Sequence, residues 1–243
     1  MATVPAGPES KHPKRSRRVA TASLVILLGY LAIAYIAAPE FWWFRDGGLT
    51  PREMRTTTTD GIPGDPINVG LVGTKEDVLQ AFAAAGWRPA DAITLKTSME
   101  IGLSVALRLP DPEAPVSTLV YDGRRQDLAF EKPVGGSADQ RHHVRFWQTD
   151  PLAPGGAGPL WLGAASFDRG VGFSHDTGQI THHIGPDLDK ERSLVIGDLA
   201  AVGWIGSRHE VEGSGATENG RNGGGDRYFT DGMVTIGVLG KPE

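Results

Sequence analysis

No cysteine occurs anywhere in the 243 residues, which excludes disulfide scaffolds, thiolate metal sites, iron–sulfur clusters and cysteine nucleophiles. The absence names no compartment, because a cysteine-free domain folds on either side of a membrane. A cationic surface is missing too. Lys and Arg number 24 against 29 Asp and Glu, a net charge of −5. Five of the basic residues and one acidic residue lie in 1–38, so the remainder holds 19 against 28, a charge of −9. No basic stripe overrides that sign, and nucleic acid is therefore not an expected partner. No internal repeat is visible. Catalytic signatures are also absent: there is no H-E-x-x-H, and Gly172-Phe173-Ser174-His175-Asp176 lacks the final glycine of a nucleophile elbow. What the chain has in quantity is glycine, 33 residues beside 17 prolines, which favours strands and turns over a helical bundle. An apolar content of 40% supports one real core, so the length corresponds to one domain with an appendage.

The appendage is N-terminal. Val19 to Ala38 forms twenty consecutive positions without a charge, about 30 Å of helix and so the thickness of a bilayer's hydrocarbon. Lys11, Lys14, Arg15, Arg17 and Arg18 precede it, and Phe41, Trp42, Trp43 and Phe44 follow, matching a basic cytoplasmic flank and an interfacial aromatic belt. A cleaved signal peptide and a buried soluble helix compete with this reading. The run exceeds the usual signal core, however, and Pro39 directly after Ala37-Ala38 makes a poor cleavage site. The expected organisation is a cytoplasmic basic tail (1–18), a transmembrane anchor (19–38), a juxtamembrane linker (39–66) rich in Thr, Pro and Gly, and a globular domain (67–243). The orientation places that domain outside the inner or plasma membrane, with a single pass.

Within the domain, Ile67 to Val72 alternates as a strand. Thr74 to Asp77 forms a capping box opening a helix that Gly86 stops, and Thr97 to Glu100 opens a second helix reaching about Leu107. Leu119–Tyr121, then the Asp122-Gly123 turn, leads into Leu128–Phe130. His143–Gln148, Leu160–Phe167 and Gln179–Ile184 are strands, Asp187–Val202 is a helix, and Trp204–Val211 and Tyr228–Leu239 close the domain. The expected class is α+β, one mixed domain with a mainly antiparallel sheet. Within the glycine-rich stretch from Gly213 to Gly225, Gly215 to Gly220 has the outer spacing of a phosphate loop. Arg221-Asn222 stands where Lys-[Ser/Thr] is required, so a flexible connection is expected there.

Six of seven histidines lie between positions 142 and 209, two pairs of them on strands. Side chains alternate across a sheet, so each pair sends one imidazole to each face. His143 then shares a polar face with Arg141, Arg145 and Trp147, and His142 an apolar one with Val144 and Phe146. His182 lies with Ile180 and Ile184, which suggests a core position, while His183 faces the other way. The candidate catalytic residues are His143, His175, Asp176 and His183. Arg141, Arg145, Asp168 and Arg169 are the candidates for ligand binding, because guanidinium forks grip phosphate or carboxylate. His143, His175 and His183 are the metal candidates. Structural polar networks remain an alternative for all of them. The charges of Arg124 to Asp127 and of Glu131-Lys132 read as solvated hairpin faces.

Four stretches carry a resemblance: Arg124 to Gly135 (RRQDLAFEKPVG), Arg141 to Trp147 (RHHVRFW), Asp168-Arg169-Gly170, and Thr177 to Ile184 (TGQITHHI). Together they resemble the LssY C-terminal domain of bacteria, from about Pro66 to about Val211. The resemblance implies a domain commonly attached to membrane proteins, including DedA-like and type-2 phosphatidic acid phosphatase modules, and named from a component assigned to type I secretion. It implies no defined activity. The chain lacks the polytopic modules and the K-x6-R-P and P-S-G-H signatures of that phosphatase, so phosphatase activity does not carry over. The expectation is an accessory envelope protein that binds an anionic ligand or an envelope partner. The alternatives are a His/Asp-dependent hydrolase, with or without metal, acting on a membrane-derived substrate, and a pure assembly partner. Cofactors are left open.

Overall fold

The computed structural model describes residues 13–46, 54–90, 118–135, 140–150, 158–213 and 219–242. It begins with an unbroken helical rod: α1 (Pro13–Ala32), a π-helical turn (Ile33–Ala37) and α2 (Ala38–Asp46). Over Arg17–Trp42 this rod is long and apolar enough to cross a membrane. Pro39 explains the π turn. It has no N–H and its ring crowds the carbonyl four residues back, so the preceding turn widens and the Ala38 N–H donates to the Ile33 carbonyl.

The remaining elements, in chain order, are β1 (Arg55–Thr58), β2 (Pro63–Pro66), β3 (Val69–Val72), α3 (Lys75–Ala84), β4 (Arg88–Pro89), β5 (Leu119–Tyr121), β6 (Arg124–Arg125) and β7 (Leu128–Pro133). They continue with β8 (Arg141–Asp150), β9 (Leu160–Phe173), β10 (Ile180–Ile184), α4 (Leu188–Ala201), β11 (Ile205–Glu212), β12 (Asn219–Arg221), β13 (Arg227–Phe229) and β14 (Met233–Leu239). The fold is α+β. The large sheet has the order β11-β14-β3-β9-β8-β7-β4, and a smaller one the order β2-β1-β5-β6. All pairs in the large sheet are antiparallel except β14 with β3. Strand β9 is long enough that its second half runs on past β3 and pairs with β10 as a projecting hairpin.

Both expected helices that fall within the described residues form. Thr74 and Asp77 cap α3 reciprocally, and Asp187 caps α4. The helix expected from Thr97 lies outside the described residues. Helices α3 and α4 cover one face of the large sheet, where Phe82 stacks on Phe130 at 4.1 Å between centroids and meets Trp87 and Phe146 edge-on. On the opposite face Trp147, Leu162 and Ala164 pack with Leu119 of the small sheet.

Of the segment expected as a linker, the near end continues the helical rod to Asp46. Its far end forms β1 and β2, because a run of β-branched threonines suits a strand and the buried Thr56 hydroxyl donates to the Asp65 carbonyl at 2.8 Å. The Asp122-Gly123 turn forms with both residues at positive φ, as a two-residue hairpin of this type requires. It joins β5 to Arg124–Arg125, and Leu128 begins a strand of the other sheet.

Candidate functional site

Strand β8 sorts its side chains as alternation demands. Val144 and Phe146 enter the helix-covered core, and His142 on that face meets Glu191 of α4 at 2.6 Å. Arg141, His143, Arg145 and Trp147 are buried on the other face. There they meet Glu131 from β7, Ser166 and Asp168 from β9, and Asp65 from β2.

Arg141 is the hub. Its Nη1 lies 2.8 Å from Glu131 Oε2 and its Nε 3.0 Å from Asp168 Oδ2, while Arg88 Nε contacts the other Glu131 oxygen at 2.7 Å. Glu131 is therefore not a solvated hairpin charge but a buried one, placed opposite His143 in the β7–β8 ladder. Burial alone would raise the pKa of Asp168. The surrounding His143, His182 and Arg141 outweigh it and hold the carboxyl well below its usual range. Asp168 is an anion at any physiological pH.

Next to this pair, His143 Nε2 lies 2.9 Å from Ser166 Oγ, and His143 Nδ1 lies 3.2 Å from Asp168 Oδ1. The order of groups is that of a Ser-His-Asp set, with the serine walled in. Ser166 has no exposed surface, and its hydroxyl also reaches Asp65 Oδ2 at 3.0 Å. A nucleophile needs a face open to substrate. In this position the hydroxyl donates to the Asp65 carboxylate and faces a His143 ring nitrogen, and so ties β9 to β2.

Where the small sheet ends, a cavity of about 220 Å³ opens between the sheets. Its floor holds His143, Arg145 and Asp168, and its walls are Asp60 and Asp65 on one side and His182 on the other. His182, not His183, therefore joins the Arg141 face, with its Nε2 3.5 Å from Arg141 Nη2. The cause is a β-bulge. Asp168 pairs with Ile184 and Gly170 with His183, so Arg169 is an extra residue in β9, and every position beyond it changes face relative to Asp168. Burial lowers the His182 pKa; Asp168 opposes this, and the Arg141, His143 and Arg145 charges reinforce it, with a net shift below the ordinary value.

The bulge sends His183 to a different cluster. There His183 Nδ1 lies 2.9 Å and His175 Nε2 3.5 Å from Asp226 Oδ1, with Arg169 Nη2 at 3.8 Å. Asp176 pairs with Arg221 at 2.6 Å. The residues expected to form one site thus divide. His143, Arg145 and Asp168 line the cavity with Arg141 paired to Asp168 behind them, while His175, His183, Asp176 and Arg169 lie at the hairpin's other side. Sequence reasoning missed Asp65, Ser166 and Asp226. Ser166 was within reach, because β8–β9 alternation pairs it directly with His143. The other two arrive from distant segments with no local pattern.

The glycine-rich stretch forms part of the cavity wall. Asn222 Oδ1 accepts from the Gly224 and Asp226 N–H groups, and Gly223 packs so closely on Thr58 that a side chain there would collide with it. Among the described residues, 222–226 is thus a built loop rather than the flexible connection expected.

The β9–β10 turn touches the apolar helix. Tyr30 Oη donates to the Gly178 carbonyl at 2.7 Å, and Trp42 Nε1 to the Asp176 carbonyl at 2.9 Å. Gln179 Nε2 donates to the Ala34 carbonyl at 3.0 Å. That acceptor is available because of the π turn: Ala38 N–H has shifted to Ile33, and Pro39 has no N–H to offer. An unmet carbonyl is costly in an apolar setting, so the helix irregularity and the hairpin contact support each other.

A domain of mixed sheets with a polar site walled off beside an apolar N-terminal helix defines the class. The family model described as LssY C-terminus matches residues 49–234, and the chain belongs to that family. The match begins before Pro66 and ends after Val211, so it takes in β1 and β2, which supply Asp65. No curated protein matches the chain, and no solved structure does.

Proposed function

We propose that this is a single-pass protein of a bacterial inner or plasma membrane, with its N-terminus in the cytoplasm. On this reading its external domain holds the polar headgroup of a membrane-derived molecule in an accessory role. The five cations before Val19 support the orientation. A reporter active only in the cytoplasm, fused after Glu243, should stay silent; a strong signal would reverse the topology.

One observation carries the ligand reading: the cavity shares Gln179 and Ile180 with the hairpin turn that meets the apolar helix. On this reading the cavity is reached from the membrane side, because the hairpin meets the helix at Tyr30 and Ala34 within the apolar run. Exposed Val171, Phe173 and Ile180 on the same hairpin suit a lipid interface. The charges refine the ligand. Glu131 and Asp168 are already matched by Arg88, Arg141 and His143, and Arg145 faces Asp65 at 3.9 Å. A bare anion would meet as many carboxylates as cations. A phosphate-bearing headgroup that also carries an amine fits better, its phosphate toward Arg145 and its ammonium toward Asp60 and Asp65. A volume of about 220 Å³ suits a headgroup of this size.

Glycerophosphoethanolamine titrated into the detergent-solubilised full chain, followed by calorimetry, is expected to bind saturably. His182→Ala should weaken binding about tenfold or more through loss of one lining contact, and His209→Ala, exposed on β11 away from the cavity, should leave it unchanged. Absence of saturable binding, or equal binding by His182→Ala and the parent, refutes the reading.

A further inference from the structure

Two histidines and a carboxylate converge on one point outside the cavity: His175 of the β9–β10 turn, His183 of β10, and Asp226 of the loop between β12 and β13. Their ligating atoms all lie within 4.8 Å of one another. We propose that His175 Nε2, His183 Nδ1 and Asp226 Oδ1 form a binding site for a divalent first-row transition metal, of which Zn²⁺ fits best, with its remaining coordination open to water.

The distances favour it. Metal–ligand bonds near 2.0–2.2 Å in a tetrahedron put neighbouring ligand atoms about 3.3 Å apart. The two imidazole-to-carboxylate separations, 2.9 and 3.5 Å, bracket that value. Only the two imidazoles must draw together, and His175, with its side chain 61% exposed, is free to swing. Mixed imidazole and carboxylate donors suit zinc among the common divalent ions, whereas magnesium and calcium prefer oxygen alone.

The supporting residues orient each ligand as metal sites require. Asp226 Oδ2 accepts the Ile184 N–H at 3.0 Å, which turns Oδ1 toward the histidines, and the Asp226 N–H is held by Asn222 Oδ1 at 2.9 Å. The His183 ring turns its Nε2–Cδ2 edge to Gly172, where a β-carbon would come within 2.5 Å of Nε2, so Nδ1 is the nitrogen left facing Asp226. Gly225, at φ +80°, brings the loop in against His175, where a β-carbon would sit 2.9 Å from His175 Cβ. Two glycines thus make room that larger residues would fill. Arg169 is an opposing charge, 3.8 Å from Asp226 Oδ1, and its side chain is half exposed. It can swing away when a cation arrives.

None of the three ligands lines the cavity. The loop that presents Asp226 does, through Asn222, Gly223 and Gly224. A bound ion would staple this loop to the projecting hairpin from behind and hold the cavity wall in place. The site depends on no particular headgroup and stands apart from the ligand reading.

The test uses the untagged full chain in detergent, stripped with a chelator and titrated with Co²⁺ and Zn²⁺. The expected result is one ion per chain, with the intense visible absorption of low-coordinate Co²⁺ that Zn²⁺ displaces, and a melting temperature that rises with Zn²⁺. His175→Ala, at an exposed position, should fold as the parent does and weaken binding at least tenfold. Asp226→Asn, which keeps the Ile184 contact, should do the same. If neither ion binds at micromolar concentration, or if both variants bind as tightly as the parent, the site does not exist.

Discussion

Arg141→Met should lower the stability of the domain by about 3–5 kcal/mol, because it leaves two buried carboxylates without their shared guanidinium. Glu131 and Asp168 both contact Arg141, and all three are almost fully excluded from solvent. Arg88 retains one contact with Glu131, but Asp168 would keep only imidazole neighbours. Arg124→Ala provides the comparison. Arg124 pairs with Asp127 at 3.5 Å with half its side chain exposed, and its loss should cost under about 1 kcal/mol. Chemical denaturation of the full chain in mild detergent measures both. Equal losses would show that the buried network contributes nothing beyond a surface pair. Replacing the whole set, as in Arg141→Met with Glu131→Leu and Asp168→Asn, should recover much of the deficit, since the penalty lies in the orphaned charges.

Phe82→Ala should cost a similar amount, about 3–5 kcal/mol, for a different reason. Phe82 is fully buried where α3 meets the large sheet, stacked on Phe130 and edge-on to Trp87 at 5.5 Å and Phe146 at 5.6 Å. Truncation opens a cavity that three large rings cannot collapse to fill. For a domain of this size the melting temperature should drop by roughly 10 °C. Phe82→Leu should cost visibly less because most of the volume remains. If the two variants melt together, the aromatic cluster is looser than its geometry states.

The two effects come from opposite faces of the large sheet, and both faces were partly legible. Strand β8 reads directly: Val144 and Phe146 alternate with Arg141, His143 and Arg145, and burial follows that alternation. The capping box at Thr74 and the acid at Asp187 located α3 and α4. Other positions were not legible. Glu131 sits among exposed charges in the sequence, and only its pairing opposite His143 reveals that it is buried. Thr56 to Thr58 has a linker's composition and becomes a strand because β5 offers it an edge.

The amino-acid sequence by itself determined the properties that short stretches of chain decide. Twenty uncharged residues behind a basic flank make a membrane-length helix, alternation sorts a strand's two faces, and an acid three residues after a threonine starts a helix. Tertiary structure alone decided which of those faces meet. One extra residue, Arg169, bulges β9 and turns His182 toward Asp168 while sending His183 to Asp226. The bulge costs nothing that a local pattern records. The extra residue falls where β9 leaves its pairing with β8 at Asp168 and runs on with β10 alone, a junction that only the assembled sheet defines. Asp65 and Asp226 likewise reach their partners only after distant segments pack, since an electrostatic contact depends on separation in space and carries no period along the chain.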